Sequence, residues 1–356
     1  MSSSRAPLCP ARLEPIFSAR PWGARSLAPL FPEKSNLAEP LGEAWLTGDE
    51  CRFASGPFSG KKLGEVWPAM PVEWTGTQID PKTGAFPLLV KFLFAEEKLS
   101  VQVHPDDAYA ATHEKAAGAR GKTEMWYVIS AQNGSEVLVG LKPGVTKESF
   151  KHAIGDSSVE GFLRHIPLHP GDAIFVPAGT AHTIGAGFVL CEIQQNSDLT
   201  YRVYDYNRRD ANGKSRELHL EKALDVIRFG EPHGGKIDPA AIERDGAKKT
   251  FFAACRYFAT ERWQFAAPIS ASASPARFEL WIVIEGSGSI RWAKDSAQFA
   301  PAQVWLIPAG LGQFQFAPQS TTTILRTYVP ADLAAVVANW THQGVSKADA
   351  QRLVFP

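Results

Sequence analysis

The sequence carries no excess of charge: 37 Lys and Arg balance 37 Asp and Glu over 356 residues. A formal charge of zero argues against a broad electropositive face for nucleic acid or anionic lipid. Any phosphate-bearing partner then has to be caught locally, by a few cations. Long apolar runs are missing too. Nothing reaches the roughly 18 consecutive apolar residues of a membrane helix, and the opening MSSSRAPLCPARLEP has two arginines with no apolar stretch behind them. Neither a transmembrane helix nor a signal peptide is expected. Cysteine is scarce: Cys9, Cys51, Cys191 and Cys255 form no CxxC pair and no disulfide framework, which reads as reduced thiols in a cytoplasmic protein. An apolar fraction of 44% with 21% charged residues excludes a disordered or fibrous chain. The length sets a prior of about two domains.

What the chain does have is short β-rich text from residue 86 onward: FPLLVKFLF, LSVQVHP, TEMWYVIS, SEVLVGL, DAIFVPAG, FVLCEIQQ and TYRVYDYN. Asn133-Gly134, Pro143-Gly144 and Pro170-Gly171 punctuate these runs, the pattern of a sandwich or barrel. Helices are confined to insertions. One runs from Pro105-Asp106 through AYAATHEK with the aspartate as N-cap; the others are TKESFKHAI, VEGFLRHI, LHLEKALDVIRF and PADLAAVVANW.

An internal repeat organises the rest. Trp126-Tyr127-Val128-Ile129 precedes a turn, a strand and Phe175-Val176-Pro177-Ala178-Gly179; Trp281-Ile282-Val283-Ile284 precedes Leu306-Ile307-Pro308-Ala309-Gly310 in the same order. That order resembles the cupin barrel, a jelly roll. The expected fold is mostly β: two cupin-like jelly-roll barrels with a few short helical insertions. The polar Gly/Pro stretch at 230–236 divides them, giving 1–235 as the catalytic barrel with its opening segment and 236–356 as a degenerate barrel with a terminal helix. After the first PAG comes Thr180-Ala181-His182, after the second Leu311-Gly312-Gln313. No counterpart of His104, Glu124 or His182 is expected in the second copy, so its Trp281, Trp292 and Trp305 should be packing groups.

Strand parity groups the polar residues. Ser100, Gln102 and His104 share one face; so do Lys122, Glu124 and Trp126, and likewise Glu192, Gln194 and Asn196. Such sets inside a barrel strand charges in a core unless they line a wet or metal-filled cavity. His104, His182, Glu124 and Gln102 make a mixed N/O set that suits zinc, while ligand type alone leaves manganese, iron or nickel open. Gln102 could be a ligand or merely hold one. His113, His152, His165 and His169 read as surface residues.

The strings Leu99-Ser100-Val101-Gln102-Val103-His104-Pro105, Lys122-Thr123-Glu124, Pro177-Ala178-Gly179-Thr180-Ala181-His182 and Glu192-Ile193-Gln194-Gln195-Asn196-Ser197-Asp198-Leu199-Thr200-Tyr201-Arg202 resemble type I phosphomannose isomerase. Trp22-Gly23 and Gly42-Glu43-Ala44-Trp45 look like the opening motifs of its short bacterial branch. The resemblance implies zinc, one per chain, on Gln102, His104, Glu124 and His182. It implies catalytic roles for Glu192, Arg202 and Lys122, and substrate contacts from Ser100 and Arg208. Arg208 replaces a lysine of the longer enzymes, a departure in geometry.

The reaction implied interconverts mannose 6-phosphate and fructose 6-phosphate by moving a proton between C1 and C2 through an enediol(ate). The partner is therefore a small sugar phosphate, with no nucleic acid, membrane or obligate protein partner. Glu192 is the candidate base, and an ion pair between Glu192 and Arg202 is the bland alternative. A cupin dioxygenase or a non-catalytic sugar-binding cupin are the rival functions; the first usually takes three histidines, and the second would tolerate loss of Glu192.

Overall fold

The computed structural model describes residues 6–114, 118–209 and 213–356. Alternating apolar residues give each β-rich run a face to bury, and the strands pair into two large and two small sheets, antiparallel in every ladder. In the first half, seven strands run in the order Gly235–Lys236, Ala173–Val176, Glu124–Ala131, Phe188–Gln195, Leu88–Ala95, Leu41–Trp45, Ile16–Ala24. Five more face them: Tyr201–Tyr204, Val101–Val103, His182–Ile184, Glu136–Leu141, Leu163–Pro167. Leu93, Trp126, Val128 and Leu190 of the large sheet meet Val137, Val139 and Ile184 of the small one inside this barrel.

The second half repeats the plan. Its large sheet runs Ala11–Leu13, Val304–Ile307, Glu279–Glu285, Thr322–Tyr328, Ala259–Phe265, Ala247–Ala254, Ala240–Arg244, and its small sheet Ile269–Ser272, Gln313–Pro318, Gly288–Trp292, Asp295–Phe299. Trp263, Trp281, Trp305, Phe314 and Phe316 fill the interior, and Trp292 packs at its edge. The two large sheets then pack back to back, Phe92, Phe94, Tyr127 and Phe175 against Phe251, Phe252, Leu280 and Leu325. Each such buried ring contributes on the order of 1.5–3 kcal/mol. Ala11–Leu13 strengthens the joint, since this early strand pairs with Val304, Trp305 and Leu306 of the second barrel.

Helices sit where expected at Asp107–His113, Lys147–Gly155, Leu220–Val226 and Leu333–Gln343. The Asp106 side chain accepts from the Tyr109 N–H, so the expected N-cap is present. The Lys115 end of that helix text lies outside the described residues. VEGFLRHI departs from expectation: a 3-10 turn at Val159–Phe162 leads into the strand Leu163–Pro167. Pairing decides it, because Glu136, Val137 and Leu138 take Pro167, Ile166 and His165 as ladder partners. Among the described residues no helix is long and apolar enough to cross a membrane.

Candidate active site and metal centre

Three strands deliver the donors. Val101–Val103 carries Gln102 and ends just before His104; His182 opens His182–Ile184 directly across the ladder from Gln102; Glu124 opens Glu124–Ala131. The first PAG turn sets their register. Gly179 adopts φ +84° and its N–H donates to the His104 carbonyl at 2.8 Å. A side chain there would be strained, with its Cβ 2.9 Å from the Val226 carbonyl oxygen.

His104, Glu124 and His182 are buried, and one ligand atom of each lies within 4.8 Å of the others. His182 Nε2 is 3.3 Å and His104 Nε2 3.7 Å from Glu124 Oε1. Each Nδ1 lies 2.8 Å from a backbone carbonyl, Leu199 for His104 and Thr180 for His182. Nδ1–H is therefore the donor, and the Nε2 lone pairs face the carboxylate. Burial pushes both imidazoles below their ordinary range, His182 to about 4, so both are neutral at pH 7. His104 Nε2 and Glu124 Oε1 are buried without a hydrogen-bond partner. Two lone pairs aimed at a carboxylate repel as they stand and become favourable with a cation between them, so the donor set fits a metal ion. Gln102 Nε2 stands 3.3 Å from His182 Nε2, and a half-turn of the amide brings its oxygen to the same place. Among the described residues no second trio of His, Cys, Asp or Glu is arranged in this way.

Beside the trio opens a cavity of about 420 Å³, lined among others by Ser100, Gln102, Lys122, Glu192, Arg202, Lys91, Asp198, Arg20 and Arg216. Lys122 Nζ lies 2.7 Å from Glu124 Oε2 and 3.4 Å from Glu192 Oε1. Burial works against its charge, and the two carboxylates outweigh burial and keep it an ammonium. Burial pushes the Glu192 carboxyl up to about 7, with Lys122 pulling the other way. A buried carboxyl poised near neutrality beside a cavity has the properties of a general base.

Glu192 and Arg202 stand on different sheets. Glu192 pairs with Lys122, whereas Arg202 donates from NH1 to the Glu217 carbonyl at 2.9 Å and leaves its buried Nε without a partner. Arg208 is not in the cavity lining. It turns to Asp205, NH2 to Oδ1 at 2.6 Å, and to the Lys98 carbonyl. Arg216 grips the same Asp205, Nε to Oδ2 at 2.7 Å and NH2 to the Oδ1 that Arg208 also holds.

Three cavity cations escape the sequence reading. Lys91 stands across the ladder from Glu192, its ammonium 2.7 Å from Asp198 Oδ1 and 4.3 Å from the Trp45 ring. The one charged residue inside FPLLVKFLF was its signal. Arg20, 2.8 Å from Glu43, sits two residues before the Trp22-Gly23 motif, and no local pattern marks Arg216. Contrary to expectation, Glu124 has a counterpart in the second barrel: Glu279 opens a strand opposite Ile307 as Glu124 does opposite Val176.

Comparison with known proteins gives the family. Residues 11–134 match the family model for the type I phosphomannose isomerase catalytic domain, and residues 247–329 that for the mannose-6-phosphate isomerase cupin domain. A probable mannose-6-phosphate isomerase of Bacillus subtilis is 38% identical over 86% of this chain and 95% of its own. Another B. subtilis mannose-6-phosphate isomerase is 37% identical over 86% and 95%. The crystal structure of the mannose 6-phosphate isomerase from B. subtilis superposes with a TM-score of 0.81 at 34% identity, covering 89% of this chain and 99% of that one. These matches do not favour the dioxygenase or the non-catalytic sugar binder. The chain belongs to the type I phosphomannose isomerase family and is an isomerase.

Proposed function

We propose that the chain interconverts mannose 6-phosphate and fructose 6-phosphate at the cavity beside His104, Glu124 and His182. The observation that carries this reading is the pairing of a buried, unsatisfied N/O donor set with a cavity rim rich in guanidinium groups. Five cations (Arg20, Lys91, Lys122, Arg202, Arg216) and three carboxylates (Glu43, Glu192, Asp198) line it, an excess of two positive charges suited to a phosphate dianion.

Zinc suits the donor set, with His104, Glu124, His182 and Gln102 to hold it; bound there, it supplies Lewis-acid polarisation of the sugar oxygens. The remaining steps fall to side chains. Glu192 takes the proton from one carbon, the C–H electron pair passes into the enediol(ate), and the same carboxyl returns the proton to the neighbouring carbon, while the hydroxyl proton passes from the oxygen that becomes the carbonyl to the one that ceases to be. Lys122, fixed between Glu124 and Glu192, offers its ammonium to charge developing on oxygen. Ser100, buried on the wall, offers a hydroxyl. Arg202, whose Nε lacks a partner, and Arg216 and Arg20 beside it anchor the phosphate. Arg208 acts at one remove, by holding Asp205 against Arg216.

The division at 235/236 goes with this reading, 1–235 bearing the chemistry and 236–356 the support, with Ala11–Leu13 lent to the second barrel's sheet and Lys236 to the first's. A cytoplasmic setting goes with it as well, since all four cysteines are unpaired. The test is a coupled assay with mannose 6-phosphate in and fructose 6-phosphate out, with and without a chelator. Turnover that a chelator abolishes and added zinc restores supports the reading; no conversion by the metal-loaded protein refutes it.

A further inference from the structure

Outside the cavity, the second barrel reaches toward the site at the Asp107 carboxylate. Asp107, the first residue of its helix, accepts at Oδ1 from the Gly121 N–H at 2.9 Å and from Gln195 Nε2 at 3.0 Å. Its Oδ2 accepts from the Tyr257 hydroxyl at 2.6 Å and from Arg256 NH2 at 3.1 Å, both on the turn between Ala247–Ala254 and Ala259–Phe265. Gln195, 4% exposed, passes the contact inward: its Oε1 accepts from the Thr123 N–H at 2.8 Å, and its own N–H donates to the Thr123 carbonyl at 3.2 Å. Thr123 stands between Lys122 and Glu124. An unbroken chain of hydrogen bonds thus joins the second barrel to the strand end that carries a metal-ligating carboxylate and a buried ammonium.

Docking of the barrels does not need this chain, because their large sheets already bury a broad apolar face between them. Arg256 is mostly exposed, and an ion pair of that kind contributes little. The Tyr257 bond is different: a short O–H···O⁻ contact to a half-buried carboxylate is among the stronger hydrogen bonds and fixes a direction. Burial raises the Asp107 carboxyl, and the bonds from Tyr257, Gly121 and Gln195 with the charge of Arg256 outweigh it, so the group stays ionised. A displacement of Thr123 carries Lys122 and Glu124 with it, and ligand sets tolerate little displacement.

We propose that Tyr257 and Asp107 are positioning residues, through which the second barrel sets residues 122–124 of the first. The proposal rests on the metal-site reading above.

The full-length parent, Tyr257→Phe and Asp107→Asn are stripped of metal and titrated with cobalt(II) against a competing chelator. Loss of a direct outer partner of a metal ligand typically costs about 10–100-fold in affinity, and Tyr257 acts through Asp107, Gln195 and Thr123, so the low end applies. Cobalt should bind about tenfold more weakly to Tyr257→Phe, with an altered visible spectrum. Amide exchange at Gly121 and Thr123 should accelerate while that of Val128, deep in the barrel, holds. In the reloaded enzyme kcat should fall with little change in KM. Should Asp107→Asn fail to fold, Tyr257→Phe, which removes one oxygen, carries the test. A folded Tyr257→Phe with parental cobalt affinity and parental exchange at Gly121 and Thr123 overturns the proposal. A parent that binds no cobalt overturns the metal reading instead, and the exchange rates then decide the clamp.

Discussion

In the first barrel Glu124 faces Val176 on the strand that leads into Pro177, Ala178 and Gly179; in the second, Glu279 faces Ile307 on the strand that leads into Pro308, Ala309 and Gly310. Trp126 and Trp281 follow two residues later, each cross-strand from a charged residue: Glu192 in the first barrel, Arg326 in the second. One strand further on stand Lys91 and Glu261. The row of charges is inverted. In the second barrel Arg326 closes on both carboxylates, Nε to Glu279 Oε2 at 2.8 Å and NH1 to Glu261 Oε1 at 3.1 Å, while the Trp281 and Trp263 N–H groups satisfy the remaining lone pairs. In the first, Lys122 takes Glu124 Oε2, two imidazoles face Oε1, and among the described residues no guanidinium fills the gap. The same strand plan thus holds a buried carboxylate in two ways, and only the one that leaves Glu124 Oε1 unpaired leaves room for an ion.

The widest separation of the barrels should come from removing one of the proposed ligands. His182→Ala is expected to abolish metal loading, while Gln313→Ala, at the matching place after the second PAG, should leave loading and turnover intact. Elemental analysis should find one metal per chain; two tightly held metals would break the comparison. Arg326→Leu tests the other side. It strands Glu279 and Glu261 in a dry interior, and breaking such a pair costs about 3–5 kcal/mol, read as a fall in the denaturant midpoint. Cobalt affinity of the surviving folded protein should hold.

Glu192→Gln is expected to cut turnover by at least about a hundredfold, equal to about 2.7 kcal/mol, because the near-isosteric amide cannot take the proton. Metal content and melting temperature should hold. Parental solvent-deuterium exchange into C1 or C2 by this variant would assign the base to another group.

Much of this site was legible because strand parity is local. Gln102 and His104 share a face two residues apart, as do Lys122 and Glu124, and the PAG turn announces His182. What parity cannot carry is pairing. Lys91 meets Glu192 only when two distant strands align, and Arg20 and Arg216 enter the cavity from opposite ends of the first half. The strand Leu163–Pro167 is hidden for the same reason: its apolar spacing is ambiguous, and its ladder with Glu136–Leu141 decides. Glu279 hides because the two repeats differ after their PAG turns, where the second lacks histidine, and match only at the strand opposite.

The smallest effect is one of sign, and it returns to Arg326. Burial raises the Glu279 carboxyl, and Arg326 outweighs it, aided by Arg277 and the Trp281 N–H, so its pKa lies below the usual 4.5. A group with a depressed folded-state pKa contributes stability that is fully present above its unfolded value and lost as pH falls through the folded one. Between pH 7 and 5 the parent should therefore show no change from this group. In Arg326→Leu, burial acts with only Arg277 and the Trp281 N–H left opposing it, and the carboxyl should move above 4.5. The folded variant then binds a proton more readily than the unfolded chain, so its stability should recover on acidification, by up to about 1.4 kcal/mol per pH unit for one proton. Denaturant midpoints at pH 7, 6 and 5 read the difference: rising for Arg326→Leu against the parent if Arg326 is the counter-charge, parallel for the two proteins if Glu279 is held by something else.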